Sequence, residues 1–204
     1  MKDSLQQIFK LFTHPLMMPV YFLIVLFVAF GYFGANNKAL FHLLFFVFVS
    51  VSFLPAISLL VAARTKLVDN PMDPMGKDKI ITLILLAIFS LFVCKMWHDK
   101  DPDMLYTYIF AVMTVTYLFL LLSYFIFELD LYTTFWGALL GFYLILLQLR
   151  APFSMPLLAT IVIIAALSTV LRSPSGQKWH NARLFAGYFA GMVIAVIVGK
   201  IMLL

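Results

Sequence analysis

The sequence predicts an all-α protein, a polytopic bundle of about seven transmembrane helices, and three observations predict it. Apolar residues make up 64% of the chain and charged residues only 11%, whereas soluble domains are about 45–50% apolar. The apolar residues fall in runs of about 20, and a helix of that length spans a bilayer while satisfying its own backbone groups. The strict alternation of a β-barrel strand is absent. The spans use nearly all of the 204 residues, so residues 17–204 are expected to form one transmembrane helical domain, with no separate soluble domain.

In residues 1–16, Leu5, Ile8, Phe9 and Phe12 recur at helical spacing against Lys2, Gln6, Gln7 and Lys10. That pattern reads as an amphipathic helix lying in the membrane interface. The apolar run then continues to Ala35 without the short core and small-residue cleavage site of a signal peptide, so the segment is expected to be retained. His14-Pro15-Leu16-Met17-Met18-Pro19 leads into the first span, with prolines where a first helical turn tolerates them.

The seven spans are expected at about 17–35, 39–63, 79–97, 105–127, 130–149, 153–171 and 182–203. Pro55 lies inside the second and should kink it. Connections as short as Asn36 to Lys38 and Glu128 to Asp130 make their flanking helices antiparallel hairpins. The longest loop, Arg64 to Lys79, carries the turn-forming pairs Asn70-Pro71 and Asp73-Pro74.

In the seventh span Gly187, Gly191, Ala195 and Gly199 recur every fourth residue. Successive members are displaced by only about 40° around a helix, so they share one face. In lipid, helices associate through close van der Waals contact, which small residues permit. The stripe is therefore expected to meet another helix of the chain, with Gly137 and Gly141 in the fifth span as its counterpart.

Counting crossings puts the amino terminus and the loops at 64–79, 128–130 and 172–182 on one face, called face A, and the remaining loops on face B. Face A carries nine lysines and arginines (Lys2, Lys10, Arg64, Lys66, Lys77, Lys79, Arg172, Lys178, Arg183) against five on face B (Lys38, Lys95, Lys100, Arg150, Lys200). By the positive-inside rule face A reads as cytoplasmic, although a phosphate-binding site on that face would collect the same cations and produce the same bias. The net charge of +5 is spread over many loops, which fits anionic lipid headgroups as partners and does not suggest nucleic acid. The single cysteine, Cys94, excludes an intrachain disulfide and multi-cysteine zinc sites.

Chemistry-bearing residues gather in the sixth loop and the turn after the fourth span. His180 has Arg172, Lys178 and Arg183 within eight residues, a set able to hold an anion. His14, His42 and His98 read as interfacial residues. Glu128 and Asp130 occupy the tight turn at the membrane edge, where acids are costly unless paired or wet. Tyr132, Thr133 and Thr134 follow them on the fifth helix. No glycine-rich phosphate loop, nucleophile elbow or metalloprotease helix is present.

His14-Pro-Leu-Met-Met-Pro19, Leu54-Pro55, the loop Lys66 to Lys79, Asp130-Leu-Tyr-Thr-Thr-Phe-Trp-Gly137 and His180-Asn-Ala-Arg-Leu-Phe-Ala-Gly-Tyr-Phe-Ala-Gly191 together make the chain resemble the type 2 phosphatidic acid phosphatase family, in particular its divergent branch from Bacteroidetes-type bacteria. The resemblance covers most of the chain. It implies a helical core whose three motifs converge on a phosphate ester at one surface of the bacterial inner membrane, and a metal-independent, cofactor-free reaction. His180 would be the nucleophile, and Lys77, Lys79, Arg172, Lys178 and Arg183 would be phosphate ligands. Asp130 and Tyr132 would stand at the second motif.

The departures from that pattern are specific. The Lys-x6-Arg-Pro motif is not met, Asp130-Leu-Tyr132 stands where the proton-donating histidine belongs, and Leu184 stands where an acid should orient the nucleophile. Loss of a general acid alone lowers a rate by about 10²–10⁴-fold. The expectation is a catalytically degenerate relative, a pseudoenzyme that binds an anionic lipid or a protein partner at face A. The alternative is an active phosphatase of a lipid phosphate or polyprenyl diphosphate.

Overall fold

A computed structural model describes residues 14–30, 37–70, 76–98, 104–149, 151–152, 154–172 and 178–203. The proposed interfacial helix falls mostly on residues 1–13, outside that set. Among the described residues the regular structure is helical throughout, and a helix stands at each expected span. These are α1 (Met18–Phe30, entered by the 3-10 turn Pro15–Met17), α2 (Asn37–Val47, continued through Phe48–Phe53 into Leu54–Arg64), α3 (Lys77–His98), α4 (Leu105–Ser123), α5 (Leu131–Gln148), α6 (Met155–Arg172) and α7 (Lys178–Leu203). Five stretches among the described residues are long and apolar enough to cross a membrane: Phe41–Arg64, Lys77–His98, Leu105–Ser123, Leu131–Gln148 and Ala182–Leu203. The protein is a multi-pass membrane protein. Pro15–Phe30 and Met155–Leu167 are shorter apolar helices.

Pro55 acts on α2 through the turn that precedes it. Proline has no N–H to donate to the carbonyl four residues back, and here the helix widens ahead of it into a π-helical stretch over Phe48–Phe53. Leu54 N–H accordingly bonds to Val49 O, five residues back. α4 ends at Ser123, short of the expected 127. The Ser123 carbonyl accepts from the N–H groups of Ile126 and Phe127 in a closing turn, and the apolar run continues through that turn because Phe125 and Ile126 lie on the outside of the protein.

α5 is the axis of the bundle, with every residue from Leu131 to Leu139 buried. Its closest neighbour is α7. A Cβ on Gly191 would strike the Thr134 carbonyl, one on Gly137 the Tyr188 carbonyl, and one on Gly141 the Met192 carbonyl. Small residues from both helices thus bring the backbones into contact, as the spacing predicted. The pairs advance together, Gly187 beside Thr133 and Thr134, Gly191 beside Ala138, Gly199 beside Ile145, so α5 and α7 run parallel. Tyr108 of α4 closes the far end of this seam, its hydroxyl donating to the Ala195 carbonyl at 2.8 Å.

α1 also runs parallel to α5. His14 meets Tyr132 edge-on, Tyr21 stacks on Trp136 and Phe22 packs on Phe142. α3 and α4 form an antiparallel hairpin in which the Thr114 hydroxyl donates to Ser90 Oγ at 3.0 Å.

Candidate functional site

At the N-terminal end of α5 the chain must satisfy four helix N–H groups, and Asp130 supplies the cap, accepting from Thr133 N–H at 2.8 Å. The Thr134 hydroxyl donates to the Asp130 carbonyl at 2.6 Å. This fixes the turn Glu128-Leu129-Asp130. Gly187 then seats α7 on that same first turn, where a Cβ would come within 2.8 Å of the Thr133 and Thr134 hydroxyl oxygens and 3.2 Å of the Asp130 carbonyl. Arg183 lies four residues before Gly187, one turn earlier on the same face of α7, and so arrives beside Glu128.

The result is an ionic cluster built from three chain-distant segments. Lys79 Nζ, on the first turn of α3, donates to Glu128 Oε1 at 3.0 Å and to the Leu129 carbonyl at 2.8 Å. Arg183 Nη1 stands 3.6 Å from Glu128 Oε2, and its guanidinium lies over the Phe127 ring at 5.9 Å. The Lys79 side chain is only 8% exposed, while Glu128 is 38% and Arg183 45% exposed. One carboxylate therefore spans a buried ammonium and a half-exposed guanidinium, and the three groups together carry one net positive charge.

A second carboxylate ties down the loop before α3. Asp78 Oδ2 accepts from the N–H groups of Asp69 and Asn70, each at 2.9 Å. Asp78 is buried, and its Oδ1 has no hydrogen-bond partner among the described residues. Lys77 turns the other way, 3.7 Å from Asp69 in an exposed pair.

The expected site residues thus divide. Lys79 and Arg183 come together, with Asp130 capping the helix beneath them. Lys77 stands apart at the surface, and Tyr132 is buried against the ring of His14. The backbones of Arg172, Lys178 and His180 lie at the end of α6 and the start of α7, but their side chains lie outside the described residues. Leu184, at the position where the resemblance calls for an acid, is buried. His42 and His98 are exposed, whereas His14 is buried, its Nδ1 accepting from Leu16 N–H at 3.2 Å.

Glu128 was visible in the sequence as an acid at the membrane edge, but not as the partner of Lys79, which is 49 residues away. Arg183 carried a usable signal, since it continues the four-residue series of Gly187, Gly191, Ala195 and Gly199 by one step. Chemically the cluster can hold an anionic oxygen at the exposed side of Arg183.

No known protein family, curated protein or solved structure matches the chain.

Proposed function

We propose that this is a seven-span membrane protein, a catalytically degenerate relative of the type 2 phosphatidic acid phosphatases, that binds an anionic lipid headgroup at face A without turning it over. The observation that carries the reading is the convergence of Lys79 from the start of α3, Glu128 from the turn before α5 and Arg183 from the start of α7 on one end of the bundle. Three chain segments meeting at one end of the bundle is compatible with the arrangement that the resemblance implies.

The seven crossings are supported by direction. α1, α5 and α7 run parallel, so the chain must return across the bundle between each pair. α6 makes that return between α5 and α7. It is 18 residues long, about 27 Å of helix at 1.5 Å per residue, close to the roughly 30 Å of a hydrocarbon core.

Binding without turnover is supported by how the groups are used. The carboxylate of Asp130 caps α5, and buried Leu184 cannot orient a histidine. A half-exposed arginine beside a buried lysine at a headgroup surface attracts anionic lipid. The test is purified protein in detergent, assayed for phosphate release from lipid phosphates with chelator present and for retention of phosphatidylglycerol. The expected result is retained lipid and no phosphate. Phosphate release that disappears in His180→Ala would overturn the proposal in favour of the active enzyme.

A further inference from the structure

The Glu128 carboxylate reaches two cations that belong to different helices, through a different oxygen to each. This is the place that an anionic ligand would take. We infer that Glu128 is an internal anion that sets the affinity of the cluster: a headgroup phosphate binds by displacing its carboxylate from Arg183 and, as it enters, from Lys79. The inference rests on the anionic-lipid reading above.

Three observations carry it. The Arg183 contact is the long one, 3.6 Å against 3.0 Å for Lys79, so the guanidinium is the first group to be released. A half-exposed pair of this kind contributes little, and a phosphate that accepts two N–H bonds from the planar guanidinium fork can displace it. Glu128 also has somewhere to go. It is 38% exposed and sits ahead of the Asp130 cap, outside any helix, so its carboxylate can swing to water without disturbing α5.

Lys79 keeps the Leu129 carbonyl as a partner during the exchange, so its ammonium is never left bare. The flanking Phe125 and Ile126 are 73% and 90% exposed, and these apolar tips place the cluster at the level of lipid headgroups rather than in open water. Phe127 remains beneath the guanidinium as a platform for its planar face.

The experiment compares unmodified protein, Glu128→Gln and Glu128→Asp in mixed detergent micelles. Phosphatidylglycerol and phosphatidylcholine are the lipid probes, inorganic phosphate is the soluble one, and the readout is the apparent Kd from the shift in Tm. Gln keeps the size of the side chain and removes the competing charge. Asp keeps the charge but is one methylene too short to span both cations. Glu128→Gln should bind phosphatidylglycerol roughly two- to fivefold more tightly, the range expected for removal of a weak competing ion pair, with Glu128→Asp in between and phosphatidylcholine unchanged.

A parallel gain for inorganic phosphate would assign recognition to the phosphate group, and a gain confined to the lipid would assign it to the whole headgroup at the interface; either supports the displacement. Folded variants that bind phosphatidylglycerol no better than unmodified protein would overturn the role of Glu128 while leaving lipid binding at face A standing. An equal gain for phosphatidylcholine would overturn it as well. Absence of phosphatidylglycerol binding in every form, unmodified protein included, would remove the underlying reading itself.

Discussion

The α5–α7 seam and the ionic cluster at its end occupy the same pair of helices, yet they are held by opposite means. In the seam the two helices meet without charged groups. Gly137, Gly141, Gly187 and Gly191 lack the atoms that would keep two backbones apart, and the contact is between main chains. In the cluster everything depends on charges at the ends of long side chains, and two of the three groups are at least a third exposed. The labour is divided: the seam fixes where Arg183 stands, and the half-exposed side chains of the cluster are left free to rearrange. A rigid site on rigid helices would bind less readily if its own carboxylate could not leave.

The seam is where substitution should do most damage. Gly191→Leu would drive a side chain into the Thr134 carbonyl and the Ala138 amide. Overpacking of this sort costs about 1–3 kcal/mol in a well-packed core, and more when backbone must move, which corresponds to a fall in Tm on the order of 10 °C. Val193→Leu, at a position 49% exposed on the opposite side of α7, should leave Tm unchanged within about 2 °C. Equal Tm values for Gly191→Leu and the unmodified protein would mean that the seam does not form.

Next in size is Lys79→Met, which removes a buried ammonium from Glu128 and from the Leu129 carbonyl. Breaking a fully buried pair costs about 3–5 kcal/mol, but Glu128 can reach water, so about 1–2 kcal/mol is expected. A double-mutant cycle with Glu128→Gln checks it: the two losses should be less than additive, because each removes the same interaction. Strict additivity would show that Lys79 is held by the Leu129 carbonyl alone.

Gly187→Ala joins the two regions. Its Cβ would press on the Thr133 and Thr134 hydroxyl oxygens at 2.8 Å, groups that rotate more easily than a backbone carbonyl moves, so about 1 kcal/mol of stability is at stake. Because Arg183 stands one turn away, the same change should also weaken phosphatidylglycerol binding, by roughly twofold or more. A loss of stability with unchanged lipid affinity would break the link between seam and cluster. The smallest effect belongs to Lys77→Ala, whose 3.7 Å pair with Asp69 is exposed and should be worth less than about 0.5 kcal/mol in thermal unfolding.

The two regions also differ in how far the sequence disclosed them. Positions of the helices were legible because a run of about 20 apolar residues admits little else in lipid, and the seam was legible because a four-residue period of glycines is local information. Helix ends were less so: Phe125 and Ile126 prolong an apolar run past the point where α4 closes at Ser123, since a turn that faces lipid is as apolar as a helix that does. A kink was expected at Pro55; the observed feature is a π-helical stretch ahead of the proline, which depends on how the backbone groups there are re-paired. The partner of Lys79 could not be read at all. Glu128 is remote in sequence, and only the hairpin of α3 and α4 brings the two to one level.

The separability of seam and cluster is tested most directly by Arg183→Gln, with thermal unfolding and phosphatidylglycerol retention measured on the same detergent-solubilised sample. Arg183 is 45% exposed and makes one long ion pair, so Tm should stay within about 2–4 °C of the unmodified value, equivalent to about 1 kcal/mol. Lipid affinity should fall by about tenfold or more, the loss of a charge-assisted contact to phosphate. Undiminished lipid binding, or a fall in Tm as large as that of Gly191→Leu, would contradict the account.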